Sequence, residues 1–510
     1  MDMMVTDYNC EYLGLSRLCL MESAGKSLAE EVGKIAVYSF SKPVKVVIFT
    51  GSGGNGGDGF VAARYLLNRG YDVDIYMLKD NIRSSEAKTN FEVLENMKPR
   101  LSRLKIYNLK TLEDINNCEV AKSSNSEFII VDGLLGTGID GALQTNIRRA
   151  IEIINDSNGL KISVDVPSGM DPLTGEVSDL AVVPDYTISF HKIKTGVREA
   201  EEEVVGGLVT ADIGIPMEAE YFVNYGDFLR LKNRTPASHK GNNGRLLIVG
   251  GSADYSGAPA IAGMAAIGAG ADLVHVATPE KAAEAIKSTS PDLIVKSLAG
   301  DKLSLKHAED ILKLSEDADA VLIGPGAGID EDTSKLFNVL VSKIKKPIVL
   351  DADSLKQVDM SLIKNREDVI LTPHIFEFKS FFKVNGDLAL DIDSYDFEKV
   401  DDNITEFQKI TRQINGTVIV KGQYDLILSK TKFRINKSGN PGMTVGGTGD
   451  ALAGIATSLL TQGLTTFDAA CLAIFINGLA GDKAFNEKGN GFSATDLVSY
   501  IGSVIKDGLC

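Results

Sequence analysis

Short apolar runs alternate with amphipathic stretches along the chain, and this alternation starts again near the middle. In the first half, the apolar runs predict buried strands and the stretches between them predict helices. Because strands and helices alternate, the sheet is expected to be parallel and covered on both faces. The strand candidates are Val44–Phe49, Asp72–Leu78, Glu127–Asp132 and Lys161–Val166, and the helix candidates are Tyr12–Ala36 and Phe60–Asn68.

The second half follows the same pattern with loops of its own. Polar residues interrupt the periodicity between Ile215 and Gly241, which places a domain boundary there. We therefore predict an α/β chain of two three-layer α/β/α domains, residues 1–220 and 230–510. The strand candidates here are Arg245–Val249, Leu273–Ala277, Ala320–Ile323, Ile348–Leu350, Val369–Leu371 and Thr417–Val420, and the helix candidates are Ala258–Gly270, Asp450–Leu460 and Asp468–Ala484.

Charge and composition narrow the class of protein. The 510 residues carry a formal net charge of −16, which argues against non-specific nucleic-acid binding because that needs clustered Lys and Arg. No apolar run approaches the roughly 20 residues that span a bilayer, and the first residues lack the pattern of a secretory signal. The five cysteines include no Cys-x-x-Cys pair and the five histidines are dispersed, so no Cys/His metal site is expected. We expect a cytoplasmic protein with no nucleic-acid or membrane partner.

Three loops of the first half each follow a strand candidate. They are residues 51–59, 132–141 and 165–171, and ligands of open α/β sheets bind beyond the carboxyl ends of the strands. Asp132 and Asp165 at strand ends favour catalysis or ion binding over a turn or cap role. Asn55, Asp132 and Ser168 together offer oxygen ligands to a monovalent cation. For Asp58 a helix cap and a ligand contact remain equally open.

Two of these loops also fit the Gly-x-Gly-x-x-Gly pattern of dinucleotide-binding proteins. The first of them, at Gly51, Gly53 and Gly56, follows a strand, opens a helix and has Asp74 about 20 residues beyond it. A dinucleotide-dependent dehydrogenase is therefore a competing interpretation. Against it, a carboxylate at Asp58 would repel a pyrophosphate bound at the same helix N-terminus.

Four segments, taken in order, resemble the YjeF N-terminal family of NAD(P)H-hydrate epimerases. They are Leu20–Gly25, Gly54–Gly59, Asp132–Gly141 and Asp165–Gly169, within a resemblance over about residues 10–215. The resemblance implies a Rossmann-like domain, a potassium ion on Asn55, Asp132 and Ser168, and Asp165 at the reacting ring, where we take it as the acid/base. Lys192 would lie near the nicotinamide, with a solvated surface lysine as the alternative. The implied substrate contacts are Asn55, Gly56, Gly57, Asp58, Gly59, Gly136, Thr137, Gly138, Ile139, Asp140, Gly141, Ala142, Asp165 and Lys192.

The most specific signal of the second half is the run Gly446–Gly454. Its glycines permit a tight turn, and backbone N–H groups at a helix start can bind phosphate. Asp450 lies where a base could meet a substrate hydroxyl, which we favour over helix capping. No Gly-Lys-Ser/Thr follows, so this is not a Walker loop. Residues 324–328, 372–374 and 421–422 likewise follow strand candidates.

Together with residues 239–241, 250–252, 257–260 and 440–442, these loops resemble the ribokinase-like superfamily. Within it they resemble NAD(P)H-hydrate dehydratases more than sugar or vitamin kinases, over about residues 230–505. The resemblance implies a ribokinase-like fold, ADP or ATP as co-substrate and Asp450 as the catalytic acid/base. Mg²⁺ is expected because phosphoryl transfer needs charge neutralisation. The implied hydrate contacts are Ala260, Gly326, His374 and Asp450, and the implied nucleotide contacts are Lys421, Gly422, Gln423, Tyr424, Asp425, Gly447, Thr448 and Gly449.

The two resemblances together imply a bifunctional metabolite-repair enzyme. It would interconvert the R and S forms of hydrated NADH and NADPH (NADHX and NADPHX) and dehydrate the S form at the expense of ADP or ATP. We also expect a homo-oligomer. Two other interpretations stay open: a vitamin-precursor kinase fused to a nucleotide-binding module, and a first domain that is a non-catalytic interaction module.

Overall fold

The computed structural model describes residues 3–79, 81–122, 127–136, 142–232, 234–384 and 397–509. The chain divides into a first unit, Cys10–Pro216, and a second unit, Met217–Cys510 together with Met1–Asn9. The ends of these units differ from the predicted domain ranges because Asn9 is buried in hydrogen bonds with the second unit. Its amide donates to the carbonyl of Ala219 at 3.0 Å and its side-chain oxygen accepts from the Gly226 N–H at 2.8 Å.

A seven-stranded parallel sheet forms the first unit, in the order β3-β2-β1-β4-β5-β6-β7. Strand β1 lies between β2 and β4. Strands β2 and β3 therefore extend the sheet on one side of β1, and β4 to β7 extend it on the other. All its residues from Val46 to Thr50 are buried, as expected of a strand covered on both faces. The strands are β1 Lys45–Thr50, β2 Val73–Met77, β3 Leu104–Asn108, β4 Phe128–Gly133, β5 Leu160–Val164, β6 Tyr186–Phe190 and β7 Gly207–Ala211. Helix α1, Met3–Tyr12, belongs mostly to the second unit. The helices of the first unit are α2 Arg17–Ser39, α3 Gly54–Asn68, α4 Ser85–Met97, α5 Leu112–Asn116, α6 Glu119–Lys122, α7 Thr145–Asp156, α8 Thr195–Glu199 and α9 Glu202–Val205.

Helices α2 and α3 pack closely, which explains the Leu20–Gly25 segment. A Cβ on Gly25 would overlap the side chain of Val61, so glycine permits the close approach of the two helices. Glu22 on α2 accepts hydrogen bonds from Arg64 and from the Tyr65 hydroxyl on α3. This segment therefore supports the helix that carries Asn55 and does not itself lie at a strand end.

A nine-stranded sheet forms the second unit, in the order β10-β9-β8-β11-β12-β13-β14-β15-β16, with β15 and β16 antiparallel to their neighbours. Alternate residues of β8 point to opposite faces: Leu246 and Ile248 join one apolar cluster with α11, α17, α18 and α19, and Leu247 and Val249 join another with α13 to α16. The strands are β8 Arg245–Val249, β9 Leu273–Pro279, β10 Ile294–Leu298, β11 Ala320–Ile323, β12 Ile348–Leu350, β13 Val369–Leu371, β14 Thr417–Val420, β15 Asp425–Leu428 and β16 Phe433–Asn436; the helices are α10 Met217–Tyr221, α11 Gly257–Gly268, α12 Glu280–Thr289, α13 Ala308–Glu316, α14 Glu331–Lys343, α15 Ile375–Phe381, α16 Phe397–Thr411, α17 Thr448–Thr461, α18 Thr466–Lys488 and α19 Ala494–Gly508.

The two sheets confirm the predicted α/β class of both domains, and the differences lie at helix starts and at several strands. Residues 54–59 belong to the first turns of α3 and residues 448–449 begin α17, where loops were expected. Strands β3, β6, β7, β10, β15 and β16 were not predicted. In the part of the chain described, no helix is long and apolar enough to cross a membrane.

Candidate functional sites

Strands β1, β4 and β5 are neighbours in the first sheet and parallel, so their carboxyl ends lie at one edge. The three loops singled out in the sequence follow these strands. The Gly51 N–H donates to the carbonyl of Gly133 at 3.0 Å, and Ser168 reaches back to Asp132. The structure therefore brings the three loops together at the point where strand order reverses, the usual ligand position of such sheets.

Asp132 is a completely buried carboxylate with four hydrogen bonds. Its oxygens accept from the Ser163 hydroxyl at 2.9 Å, from the Ser168 N–H at 2.9 Å and hydroxyl at 2.6 Å, and from the Leu134 N–H at 3.3 Å. Burial raises the pKa of Asp132, and the hydrogen bonds from Ser168 and Ser163 oppose the shift. This carboxylate therefore ties the loop after β5 to the end of β4.

Asn55 joins the same cluster from the first turn of α3. Its amide donates to the carbonyls of Val164 at 2.7 Å and Leu135 at 3.2 Å, and the Ser168 hydroxyl lies 3.2 Å from the Leu135 carbonyl. The oxygens at this point belong to two carbonyls, a hydroxyl and a carboxylate, and the Asn55 amide faces the carbonyls with its nitrogen. Hard cations take such ligands, so the residues present fit a potassium ion.

Helix α3 begins at Gly54 and its N-cap, Gly53, makes no side-chain hydrogen bond, so the capping interpretation of Asp58 is wrong. Asp58 lies in the second turn and is 8% exposed. Gly57 packs against Met21 and Ala87, and Gly59 against Ile48, so these two glycines serve internal packing. The N–H groups of the first turn, near Asn55 and Gly56, remain the donors that can face a ligand.

The second loop of this site is described only at its ends. A Cβ on Gly136 would meet the Asn55 amide, and Ala142 is exposed. Thr137, Gly138, Ile139, Asp140 and Gly141, which were predicted to contact substrate, lie outside the described residues.

Asp165 has a left-handed backbone, with φ of 66°, and an ion pair with Lys194. Its carboxylate also accepts from the Phe190 N–H at 3.0 Å, and its carbonyl accepts from the Ser189 hydroxyl at 2.8 Å. Strand β6 thus fixes a conformation that a non-glycine residue rarely adopts. The lysine paired with Asp165 is Lys194, which was not predicted from the sequence, and the placement of Lys192 near the nicotinamide stays a prediction.

Four adjacent parallel strands of the second unit, β11 to β14, each end in a site loop. They lead to Gly324, Asp351, Thr372 and Lys421 respectively. A Cβ on Gly324, where φ is 123°, would overlap the Asp351 carbonyl oxygen. Four loops therefore converge at one edge of the sheet. Three of them were predicted from the sequence, and the fourth, which begins at Asp351, was not.

Asp450 is the third residue of α17, whose N-cap, Gly447, has a φ of 99° and no side-chain cap. The free N–H groups of this first turn, with Thr448 and Gly449, can face a phosphate. Burial, with the negative charges of Asp351 and Asp353, raises the pKa of Asp450 to about 7 against the opposing charge of Lys421. A carboxyl with this pKa can accept and release a proton near neutrality.

His374 caps helix α15, and its Nε2 lies 3.5 Å from Glu377 Oε1. Its Nδ1 accepts from the N–H groups of Phe376 at 3.2 Å and Glu377 at 3.3 Å, so the ring proton resides on Nε2. The side chain is 49% exposed. His374 thus has a structural role at the start of α15, and its contact with the hydrate stays a prediction.

The remaining predicted residues divide into loop-shaping and exposed groups. Asp425 accepts from the Gly422 N–H at 3.0 Å and from the Asn436 amide at 2.9 Å, and burial raises its pKa to about 6. It therefore shapes the turn after β14, in which Gly422 and Gln423 are exposed and Tyr424 is partly buried. Gly326 has a φ of 62° beside Tyr255, and Ala260 is 3% exposed within α11.

Comparison with known proteins agrees with both halves. The family model described as NAD(P)H-hydrate dehydratase matches residues 246–503, and the model described as YjeF-related protein N-terminus matches residues 17–196. The chain is similar to the bifunctional NAD(P)H-hydrate repair enzyme Nnr of Methanothermobacter thermautotrophicus, at 47% identity over 99% of this chain and 95% of that protein. It is 40% identical to the enzyme of the same name from Archaeoglobus fulgidus, over 99% of this chain and 97% of that protein.

Among solved structures, the chain is similar to the ADP/ATP-dependent NAD(P)H-hydrate dehydratase of Bacillus subtilis, co-crystallised with ATP and Mg²⁺. The match covers 56% of this chain and 98% of that chain, at 23% identity and a TM-score of 0.46. The family assignment rests on the sequence relatives, which match nearly the whole chain. The chain belongs to the family of bifunctional NAD(P)H-hydrate repair enzymes.

Proposed function

We propose that the first unit interconverts the R and S forms of NADHX and NADPHX and that the second unit dehydrates the S form with ADP or ATP. One observation carries this assignment: each sheet has, at its own carboxyl edge, a glycine-started helix beside an acid and a lysine. In the first unit these are Asp165 and Lys194, and in the second they are Asp450 and Lys421. Membership of the repair family supplies the substrate class.

Dehydration in the second unit begins with phosphorylation. Asp450 accepts the proton of the ring hydroxyl, whose oxygen forms a bond to the terminal phosphorus while AMP or ADP leaves. N–H groups of Thr448 and Gly449 and the Lys421 ammonium stabilise the charge on the transferred group. The C–O bond then breaks, phosphate leaves with its electron pair, and loss of the neighbouring ring proton restores the double bond.

Epimerisation in the first unit uses the same ring carbon. In its protonated form Asp165 gives its proton to the hydroxyl, which leaves as water, and the water that adds to the opposite ring face returns a proton to the Asp165 carboxylate. Lys194 keeps the carboxylate oriented by its ion pair. The left-handed backbone of Asp165 sets the direction of this carboxylate.

Two cations complete the proposal. Asn55, Asp132, Ser168 and the carbonyls of Leu135 and Val164 would hold potassium, which supplies a fixed positive charge beside the first site. Mg²⁺ would neutralise the nucleotide phosphates, and it is usually held by those phosphates, water and few carboxylates. The described residues include no cluster of three or more acidic, His or Cys side chains suited to a metal.

The test is incubation of the full chain with racemic hydrate and either nucleotide. Recovery of absorbance reports dehydration, and chiral chromatography reports epimerisation. Asp450→Asn should abolish recovery and keep isomer exchange, and Asp165→Asn should do the reverse. Accumulation of a phosphorylated product without free phosphate would instead indicate a kinase.

Two further predictions accompany this function. A homo-oligomer is expected, which light scattering after gel filtration measures directly. A cytoplasmic location is expected, which fractionation of the source cells tests.

A further inference from the structure

Asp351 anchors a buried polar chain at the edge of the second sheet. The side chain is 2% exposed, and its Oδ1 accepts from the Thr372 hydroxyl at 2.6 Å and from the Lys421 ammonium at 3.3 Å. These partners follow β13 and β14, the next two strands of the sheet. A carboxylate buried to this extent destabilises the folded protein unless it is paired. Here both partners contact the same oxygen, Oδ1.

The Lys421 ammonium lies at the start of the helix that carries Asp450. A Cβ on Gly449 would be 3.2 Å from Lys421 Nζ. Within the described part of the chain, Asp351 is the one hydrogen-bond partner of this ammonium. The long lysine stem is otherwise free to change rotamer, so the carboxylate determines where the positive charge stands.

The turn after β12 holds Asp351 in a fixed direction. Ala352 has a φ of 52°, in the left-handed region that alanine rarely adopts. Asp353 accepts from the Gly328 N–H at 2.9 Å, and the Ser354 hydroxyl donates to the carbonyl of Ile323 at 2.8 Å. These hydrogen bonds hold the turn in the conformation in which Ala352 is strained.

Three charged groups face Asp450: Asp351 and Asp353 from the turn after β12, and Lys421 from the end of β14. A lysine without a carboxylate of its own would pair with Asp450. That pairing would favour the ionised form of Asp450, lower its pKa and weaken it as a base. With Asp351 present, the lysine has another partner.

We propose that Asp351 is a positioning residue of the dehydratase site, which holds the Lys421 ammonium ready for the terminal phosphates of the nucleotide and keeps it from pairing with Asp450. The proposal rests on the function proposed for the second unit. The two acids then have different roles, since Asp351 pairs with the lysine and Asp450 exchanges the proton.

The first experiment compares Asp351→Asn with Asp353→Asn in the full chain. Both changes remove one negative charge near Asp450, but only Asp351 contacts Lys421. Asp351→Asn should raise the nucleotide KM at least about tenfold, as expected for a lost charged hydrogen bond. It should also move the acidic limb of the kcat profile to lower pH. In Asp353→Asn the amide oxygen can still accept from the Gly328 N–H and keep the turn, so KM should stay within about twofold and the limb should move less.

The second experiment separates positioning from a general structural effect. If Asp351 acts through the lysine, Asp351→Asn should change nucleotide KM little in a Lys421→Met background, which a double-mutant cycle measures. An equal effect of Asp351→Asn in both backgrounds, or an unchanged KM and pH limb, would overturn the proposal. Should Asp351→Asn fail to fold, Thr372→Val should raise KM and Thr372→Ser should restore it.

Nucleotide binding distinguishes this proposal from the proposed function. Calorimetric titration of ADP and ATP needs no turnover, so the cycle can be repeated on binding constants. If the wild-type chain is inactive but Asp351→Asn and Lys421→Met are still coupled in nucleotide affinity, the dehydratase function is wrong and Asp351 remains the residue that positions Lys421. If the chain is active and the two substitutions are not coupled, the dehydratase function stands and the role proposed for Asp351 is wrong.

Discussion

Replacing Asp450 by Asn should abolish dehydration and stabilise the second unit at alkaline pH. In the folded protein, burial and the neighbouring carboxylates Asp351 and Asp353 raise the pKa of Asp450 to about 7, from an ordinary 3.8. A carboxyl whose pKa rises on folding binds its proton more tightly in the folded state. Its contribution to stability is fully present below the ordinary pKa and is lost as the pH rises through about 7.

The magnitude follows from the separation of the two pKa values. One pKa unit corresponds to about 1.4 kcal/mol, so between about pH 5 and pH 8 the wild-type carboxyl loses about 3 kcal/mol of folding free energy relative to an amide. Asp450 is partly exposed, and solvent screening reduces the expected difference to about 2 kcal/mol. The variant should therefore gain in relative stability as the pH increases.

The assay must report the second unit alone, since two units need not unfold together. The chain has no Trp, so hydrogen exchange of peptides from β12 and β13 in increasing urea is the suitable probe. Glu316→Gln, at an exposed carboxyl of α13, is the matched control. The same pH dependence in Asp450→Asn as in wild type would refute the reasoning about the raised pKa.

Three substitutions in the first unit, with a fourth as control, test its site. Lys194→Met should slow epimerisation at least about tenfold, as expected for the loss of the charged partner that orients Asp165, with dehydration of the S isomer retained; a normal exchange rate in chiral chromatography would remove Lys194 from the site. Asp132→Asn should raise the K⁺ concentration for half-maximal epimerisation at least about tenfold, and an unaltered K⁺ titration at constant ionic strength would contradict a cation there. Gly51→Ala should destabilise the first unit by about 2 kcal/mol or more because its Cβ would overlap the Leu134 carbonyl. Gly54→Ala, with nothing within 4 Å, should stay within about 1 kcal/mol in the same exchange experiment.

Most central strands were predictable and the edge strands were not, although the interior strands β6 and β15 were also missed. Strands β8, β11, β12, β13 and β14 have the predicted bounds, because a strand buried on both faces is a continuous apolar run. Edge strand β10 is mostly exposed along Ile294–Leu298, and edge strand β3 is exposed along most of Leu104–Asn108. Such strands have no continuous run to detect.

Site residues that directly follow a strand were predictable from the sequence. Residues that reach the site through a partner distant in the sequence were not. Asp132, Asp165 and Lys421 stand at strand ends, and the loops around them converge as expected. The same rule could have found Asp351, which follows the apolar run Ile348–Leu350. The pairing of Lys194 with Asp165 spans 29 residues and depends on the path of β6, so spacing alone gives no sign of it.

The hydrogen bonds of Asn9 have a consequence for the order in which the protein is made. Asn9 leaves the ribosome 210 residues before Ala219, a delay of about 10–40 s at common rates of synthesis. The whole of Cys10–Pro216 is translated in that interval. A fragment started at residue 230 would lack both sides of this contact and Phe228, which is 1% exposed in the apolar cluster. Dissection of the enzyme for separate study should therefore retain residues 217–229 and supply residues 3–9 in trans or by circular permutation.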